Sequence, residues 1–243
     1  MRNSLAVALG LLLAGPASAE CRDQAFETLS FTVCEASADQ DLRLFLDDAE
    51  GQRFGSFARI DAALQGQGSH LVFAMNAGMY HPDRAPVGLY VEEGERRTAL
   101  VTRAGPGNFG LLPNGVFCFG DGILAVIESR RFADEAPGCR FATQSGPMLV
   151  IDGALHPRFL PDSESLNLRN GVGVSADGQR AFFVISNQPV TFHRFARFFR
   201  DELGVPNALY FDGRISRLYA PELGRDDWGV PMGPVVGLVA PGG

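Results

Sequence analysis

The segment NALYFDG, residues 207–213, carries an apolar run to one carboxylate, Asp212, which Gly213 follows at once. Asp-Gly is typical of a turn, because glycine accepts positive φ and the aspartate bonds to nearby backbone amides. A turn is the interpretation of the three other Asp-Gly pairs, at Asp121, Asp152 and Asp177. Asp212 differs because a helix and then a buried strand precede it, and functional groups often follow strand ends in loops. We therefore select Asp212 as a candidate catalytic group.

Three further stretches place polar or small residues next to an apolar strand: FAMNAGMY, FATQSGPMLV and NLRNGVGVS. Amides and hydroxyls can bind a ligand there, and glycine permits its close approach. A polar loop at a sheet edge is the alternative for the first two stretches, and a surface charge is the alternative for the arginine of the third. The candidates from these stretches are Asn76, Gly78, Gln144, Ser145, Gly146 and Arg169.

The elements that must position these residues are mostly strands joined by hairpins. A strand is predicted in each of HLVFAM, GPMLVI, NALYF and GPVVGLVA, and hairpins are predicted in GVFCFGDGILAVIES and GVGVSADGQRAFFVIS. Helical spacing appears in FARIDAALQGQG and in TFHRFARFFRDELG, where Thr191 can cap the helix and Gly204 can end it. Many strands and few helices predict a single α+β domain with a mixed, largely antiparallel sheet.

The first residues of the chain have the pattern of an export signal. Arg2 precedes an apolar run and an A-x-A site, so we predict a signal peptide at 1–19 and a mature domain at 20–243. The run is too short for a good membrane span, and Glu20 before Cys21 argues against lipidation. We expect a periplasmic or secreted protein without a stable membrane anchor. With a net charge of −7 and no basic stripe, no nucleic-acid partner is expected.

The four cysteines predict two disulfides, because their number is even and the predicted compartment is oxidising. Three pairings are possible, and we favour the one that closes two short loops. A metal site is not predicted, because no C-x-x-C pair exists and the histidines show no ligand spacing. The favoured bridges are Cys21–Cys34 and Cys118–Cys139.

Several enzyme classes lack their motif in this chain. No G-x-S-x-G elbow surrounds Ser145, and neither a P-loop nor a dinucleotide fingerprint is present. GPGNFGLLPNG is rich in glycine, but no helix pattern follows it, so it is a weak candidate for a phosphate cradle.

Taken in order, the motifs NAGMY, NGVF, QSGPMLV, RNGVGVSADG and LGVPNALYFDGRIS resemble the phosphodiester glycosidase family. The closest likeness is to its short bacterial exported branch, and the motifs span about residues 70 to 240. The resemblance implies an α/β fold whose motifs converge on one cleft. It also implies hydrolysis of the bond between a sugar anomeric carbon and a phosphate oxygen, as in N-acetylglucosamine-1-phosphodiesters.

All the candidates named above match the family position by position, with one departure nearby. Where better-studied members have DGGxS, this chain has DGRIS, so Arg214 replaces the second glycine and Ser216 keeps its place. Two consequences of Arg214 are open: it can add a phosphate ligand, or it can block a sugar subsite.

A mechanism follows from the residue types. A phosphate has a second pKa of about 6, so it leaves more readily than an alkoxide and one carboxylate can suffice. Asp212 is predicted to act on the anomeric carbon, as general base or nucleophile, and Arg169 to clamp the phosphate. The other matched residues are predicted to bind substrate, a small-molecule or glycan phosphodiester, and no cofactor is expected.

Two competing hypotheses remain from the sequence. A non-catalytic glycan or phosphoglycan-binding protein of the cell envelope would use the same cleft, with Asp212 only hydrogen-bonding to sugar. A metal-dependent phosphodiesterase would need clustered carboxylates or histidines. The histidines of this chain are scattered along it, at His70, His81, His156 and His193.

Overall fold

The computed structural model describes residues 21–242, so the predicted signal peptide lies outside the described residues. Within this range the chain forms three α-helices and three sheets, and all strand pairs of these sheets are antiparallel. The α+β prediction is confirmed. None of the helices in residues 21–242 has both the length and the apolar character that a membrane span requires.

The largest sheet has seven strands and carries the segment that ends at Asp212. Its middle strand, β12 (Asn170–Val174), pairs with β14 (Asn207–Asp212), and the pairing places Asn170 opposite Asp212. In spatial order the strands are β1 (Cys21–Phe26), β2 (Leu29–Ser37), β13 (Arg180–Ser186), β12 (Asn170–Val174), β14 (Asn207–Asp212), β10 (Met148–Ile151) and β11 (Ala154–Leu155).

Two five-stranded sheets complete the fold. The first runs β16 (Arg225–Asp226), β15 (Leu218–Ala220), β4 (Ser69–Asn76), β17 (Val235–Pro241) and β3 (Leu42–Phe45). The second runs β6 (Glu95–Thr98), β5 (Tyr90–Glu92), β9 (Phe141–Ser145), β7 (Gly115–Gly120) and β8 (Ile123–Glu128).

The main hydrophobic core lies where the three sheets meet. Each sheet contributes buried aromatic or aliphatic side chains to it, for example Phe73 from β4, Phe117 from β7 and Phe183 from β13. The ring of Phe183 lies 5.3 Å from that of Phe73 and 5.7 Å from that of Phe117, measured between centroids. Packing of this kind joins the sheets into one body, because each sheet has an apolar face that it must bury.

The helices cover the outer faces of two sheets. α1 (Phe57–Gln65) is capped by Ser56 and buries an apolar stripe, as its spacing predicts. α3 (Phe192–Arg197) is capped by Thr191 and continues as a π-helical turn, Phe198–Glu202, which Gly204 follows with a φ of 65°. The apolar side of α3 packs on the seven-stranded sheet.

Two features differ from the sequence-based interpretation. α2 (Ser129–Glu135) was not predicted, and Glu128 caps it. FATQS is not a polar edge loop, because it forms β9, a fully buried strand between β5 and β7.

The two disulfides are those favoured from the sequence: Cys21–Cys34 joins β1 to β2, and Cys118–Cys139 joins β7 to the segment before β9.

Candidate active site

A cavity of about 790 Å³ opens at the end of β14, where Asp212 lies. Five separate segments of the chain line it, so side chains distant in sequence meet there. Its size falls in the range of small-ligand sites. The polar residues among its lining are Tyr80, Arg84, Asn108, Asn167, Tyr210, Asp212 and Arg214.

Asp212 divides its two carboxylate oxygens between two tasks. Oδ1 accepts hydrogen bonds from the backbone amides of Gly213 at 2.6 Å, Arg214 at 2.7 Å and Ile215 at 3.3 Å. These bonds form the turn that Asp-Gly predicts. Oδ2 accepts no hydrogen bond from any group in residues 21–242, and the side chain lines the cavity. The turn therefore fixes the carboxylate and leaves one oxygen available to a ligand.

A buried polar network supports this turn from below. The side chains of Asn76 and Asn170 bond to each other, at 3.1 and 3.2 Å, and Asn170 Oδ1 accepts the Asp212 amide at 3.2 Å. Ser216 Oγ donates to the Asp212 carbonyl at 2.8 Å. Both asparagines are fully buried. Because a satisfied buried network rigidifies its surroundings, these residues hold the Asp212 turn in place.

Tyr210 lies against the same turn from the side. A Cβ atom added to Gly213 would lie 2.1 Å from the Tyr210 hydroxyl oxygen, so this hydroxyl occupies the place of a side chain at position 213. Burial raises the pKa of Tyr210 above its ordinary value, and the nearby Arg169 guanidinium opposes that rise. The Tyr210 hydroxyl also forms a side-chain hydrogen bond with Asn108, a second residue of the cavity wall.

Arg169 does not line the cavity. Its side chain is buried, and Nε and Nη2 donate to the carbonyls of Val190, at 2.8 Å, and Ser165, at 3.0 Å. Nη1 donates to the Tyr210 hydroxyl at 3.4 Å, and the guanidinium lies 3.7 Å from the Phe192 ring centroid. With these partners the guanidinium is not free to clamp a phosphate, so the geometry favours a positioning role behind Tyr210.

Two other guanidinium groups lie on the cavity wall. Arg84 and Arg214 form no ion pair or side-chain hydrogen bond with any group in residues 21–242. Arg84 is half-buried and has a φ of 68°, a left-handed conformation that arginine rarely adopts. Strained backbone of this kind clusters at ligand-binding sites. The cavity therefore presents two unneutralised cations beside the Asp212 carboxylate.

Tyr80 also forms part of the cavity wall. Its ring packs on the backbone of Gly233, where an added Cβ would lie 2.6 Å from the ring, and its hydroxyl donates weakly to the Pro231 carbonyl at 3.5 Å. Burial raises the pKa of Tyr80, and the Asp212 charge adds to the rise. The cavity thus pairs an aromatic face with polar and cationic groups, as sites for small polar molecules do.

The remaining predicted binding residues lie beneath the cavity, in the interior. The Gln144 side chain bonds to the backbone of Leu89 and Val101, and Ser145 Oγ donates to the Phe211 carbonyl at 2.9 Å. A Cβ added to Gly78 would lie 3.2 Å from Thr143 Oγ1, and one added to Gly146 would lie 2.6 Å from Asn114 Cβ. These residues pack β9 against its neighbours and do not line the cavity.

Of the nine predicted site residues, the structure places Asp212 and Arg214 in the cavity wall. Asn76 and Ser216 lie directly beneath, in the network that supports the turn. Sequence reasoning missed five polar wall residues. Tyr80 and Tyr210 stand inside motifs that were recognised, and Asn108 stands in the glycine-rich GPGNFG segment. Asn167 is the first residue of the NLRNGVGVS stretch, and only Arg84 carries no sequence signal of its own.

Residues 21–242 contain no group of three or more His, Cys, Asp or Glu side chains arranged to hold a metal ion. Asp212 is the one carboxylate among the residues that line the cavity described here.

Both the sequence and the fold have known relatives. The family model for phosphodiester glycosidases matches residues 69–226, so the chain belongs to the phosphodiester glycosidase family. This is a family of glycosidase-type hydrolases. The chain is also 36% identical, over 178 residues, to the uncharacterised protein YigE of Escherichia coli K12; the match covers 73% of this chain and 69% of that protein.

Two solved structures share the fold. One is the catalytic domain of zebrafish N-acetylglucosamine-1-phosphodiester alpha-N-acetylglucosaminidase, auto-inhibited by its pro-peptide. It matches with a TM-score of 0.60 and 12% sequence identity, and the match covers 90% of this chain and 81% of that one. The other is a hypothetical protein from Synechocystis, with a TM-score of 0.58, 14% identity, and coverage of 90% and 61%. At these identities the likeness concerns the fold alone.

Proposed function

We propose that this protein is an exported hydrolase that cleaves the glycosidic bond of a sugar-1-phosphodiester, such as an N-acetylglucosamine-1-phosphodiester, in the periplasm or cell envelope. The observation that carries the proposal is the juxtaposition in one cavity of the free Asp212 Oδ2 with two unpaired guanidinium groups, on Arg84 and Arg214. Such a site offers a carboxylate that can attack or accept a proton and, separately, positive charge that can bind a phosphate. Membership of the phosphodiester glycosidase family agrees with this chemistry.

In the proposed reaction, Asp212 Oδ2 acts at the anomeric carbon. It either removes a proton from a water molecule whose oxygen forms the new bond to that carbon, or forms the bond itself and is later displaced by water. The bond from the anomeric carbon to the phosphate oxygen breaks, and its electron pair stays on the phosphate. Because the second pKa of a phosphate is about 6, no strong acid is needed to protonate this leaving group.

Arg84 and Arg214 take the role of phosphate ligands, which the sequence assigned to Arg169. Guanidinium donors match phosphate oxygens in pairs, and a charge-assisted hydrogen bond contributes roughly 1.5–3 kcal/mol. Charge on the leaving phosphate rises as the glycosidic bond breaks, so the two cations stabilise the transition state more than the bound substrate. Arg169 is then a positioning residue, which holds Tyr210 against the Asp212 turn.

The proposal is tested with Asp212→Asn and a synthetic N-acetylglucosamine-1-phosphodiester as substrate. Asparagine keeps an Oδ1 for the three turn amides and replaces only Oδ2, so the turn should survive. We expect a loss of about 10²-fold or more in kcat, measured as released reducing sugar. Asp177→Asn is the matched control, because Asp177 is also in an Asp-Gly turn and accepts the Gln179 amide, but lies outside the cavity.

The arginine assignment has a separate test. Replacing Arg84 or Arg214 with glutamine should lower kcat/KM for the phosphodiester by roughly 10- to 100-fold, the worth of one charge-assisted bond. An aryl glycoside with a neutral leaving group should be affected far less. Arg130→Gln is the control, because it removes an exposed guanidinium on α2 that has no ion-pair partner within residues 21–242. Equal losses on both substrates would remove the phosphate role.

A glycan-binding protein without catalysis is the second candidate function, since Oδ2 of Asp212 can also accept a sugar hydroxyl. Prolonged incubation with the phosphodiester separates the two. Reducing sugar together with the phosphomonoester of the aglycone supports hydrolysis at the anomeric carbon, whereas saturable binding with unchanged substrate supports the binding module. The two disulfides fit the oxidising compartment that either candidate requires.

A further inference from the structure

The loop Asp227–Pro231 exposes the one tryptophan of the chain beside the cavity. Trp228 is 92% exposed and makes no ring contact or hydrogen bond within residues 21–242. Val230, two residues further on, is 59% exposed and lines the cavity, as does Pro231. Large apolar side chains that a fold leaves in water at the edge of a cavity mark binding surfaces.

The loop is held in position. Arg217 Nη1 donates to the Val230 carbonyl at 2.7 Å, and the Leu218 amide donates to Asp227 Oδ2 at 3.0 Å. An added Cβ at Gly229 would lie 2.2 Å from Arg217 Nη2, so the guanidinium packs closely under the loop. Trp228 is therefore displayed from a fixed backbone, and its exposure does not result from a lack of anchoring contacts nearby.

A second segment at the cavity has the same character. Asn167 lines the cavity, and its two neighbours in sequence, Leu166 and Leu168, are 58% and 42% exposed. Residues 21–242 expose seven large apolar side chains strongly, and four of them lie in these two segments. Of these four, Val230 itself lines the cavity, and the other three lie within two residues of a lining residue in the sequence. We name Leu166, Leu168, Trp228 and Val230 the apolar rim.

We propose that the apolar rim binds the aglycone of the substrate and that this aglycone is a long-chain alkyl group. The inference rests on the proposed function, because it places the sugar and the phosphate inside the cavity, which leaves the ester substituent of the phosphate to extend towards the rim. Three of the four rim residues are aliphatic and have no hydrogen-bonding group, so they match an alkyl chain better than a second sugar. The substrate class is a sugar-1-phosphate esterified to a long-chain alcohol.

Hydrolysis provides the first test. The methyl and octyl esters of N-acetylglucosamine-1-phosphate are compared as substrates of the full mature chain. Burial of only two or three methylene groups predicts a kcat/KM about tenfold or more higher for the octyl ester. Trp228→Ala should reduce this octyl-to-methyl ratio several-fold. Ile123→Ala, which removes an exposed apolar side chain from the β7–β8 hairpin, should leave the ratio unchanged. Equal values for the two esters in the unmodified protein would overturn the proposal.

Fluorescence provides a second test that requires no turnover. Because Trp228 is the only tryptophan, emission excited at a wavelength that tyrosine does not absorb reports on it alone. Octyl phosphate, which resembles the expected product, should shift this emission to shorter wavelength, and methyl phosphate should not. If no ester is hydrolysed but octyl phosphate still shifts the emission, the proposed function fails and the apolar rim stands. A shift with vesicles of phosphatidylethanolamine and phosphatidylglycerol, and none with octyl phosphate, would assign the rim to a membrane surface instead.

Discussion

Replacing Gly213 with alanine should displace the turn that holds the Asp212 carboxylate. The new Cβ would lie 2.1 Å from the Tyr210 hydroxyl oxygen, whereas side chains in proteins essentially never approach closer than 3.0 Å. The two groups, which both line the cavity, must therefore separate by about 0.9 Å. No positive φ is required at position 213, so the effect of alanine there is steric and does not arise from backbone strain.

The displacement reaches the carboxylate directly, because the Gly213 amide is one of the three that bind Asp212 Oδ1. A misplacement of about 1 Å in a catalytic group typically costs about 10²-fold in rate. We expect Gly213→Ala to lower kcat on the phosphodiester by about that factor. Thermal unfolding measured in parallel should show a fold that is retained, since the clash lies at the surface of a cavity that can widen.

A second substitution tests whether the clash is the cause. Tyr210→Phe removes the hydroxyl, and the nearest remaining ring atom, Cζ, lies 3.3 Å from the added Cβ, a tight but tolerable contact. The double variant should recover to about the activity of Tyr210→Phe alone, so the two changes should be strongly non-additive. Gly138→Ala is the matched control, because its Cβ would meet no atom within 4 Å. Wild-type turnover in Gly213→Ala, or a double variant no better than Gly213→Ala, would refute the reasoning.

Three further predictions concern stability. Arg169→Lys should lower the free energy of unfolding in urea by about 2–4 kcal/mol, because lysine leaves buried carbonyls unpaired. The same substitution should weaken turnover of the phosphodiester and of the aryl glycoside alike. A loss confined to the phosphodiester would restore the role of Arg169 as a phosphate clamp. Burial raises the pKa of Glu92 from 4.5 to about 7, although the Arg97 charge opposes it. Between these two pKa values the folded protein therefore holds a proton that the unfolded chain releases, so the free energy of unfolding should fall as pH rises from about 4.5 to 7. Glu92→Gln should flatten this dependence of stability on pH. The same dependence in both proteins would contradict the prediction. Replacing Cys21 and Cys34 with alanine should cost about 2–4 kcal/mol, given the sequence separation of 13 residues, and an unchanged urea midpoint would count against it.

Local patterns were enough to predict the elements that carry Asp212. The spacing of Phe195, Ala196 and Phe199 predicts a helix, which forms as α3 and the π-helical turn that continues it. Thr191 caps the start of α3, and Gly204 follows the end of the π-helical turn. Such signals depend on residues three or four positions apart, so they can be read from a short segment of sequence. α2 was not predicted, because its seven residues bury only Ser129 and therefore show no apolar stripe.

Residue type alone was a poor guide to which polar groups face the cavity. Gln144 and Arg169 have the chemistry of ligand-binding residues, yet both donate to backbone carbonyls and side-chain hydroxyls in the interior. The partners of Arg169 include Val190 and Tyr210, 21 and 41 residues away. A pattern in sequence contains no information on such partners, because a buried guanidinium and an exposed one are written with the same letter.

The sequence by itself determined the α+β class, the family and the strand that ends at Asp212, because these depend on short-range periodicity, turn chemistry or an ordered set of motifs. It left three cysteine pairings possible, and the structure has the one that closes two short loops. Only the tertiary structure decided which cations share the cavity with Asp212, and it selected Arg84 and Arg214 in place of Arg169. The physical reason is that the charge of an arginine becomes available to a ligand only where the fold leaves its donors unpaired, and pairing depends on contacts between distant segments.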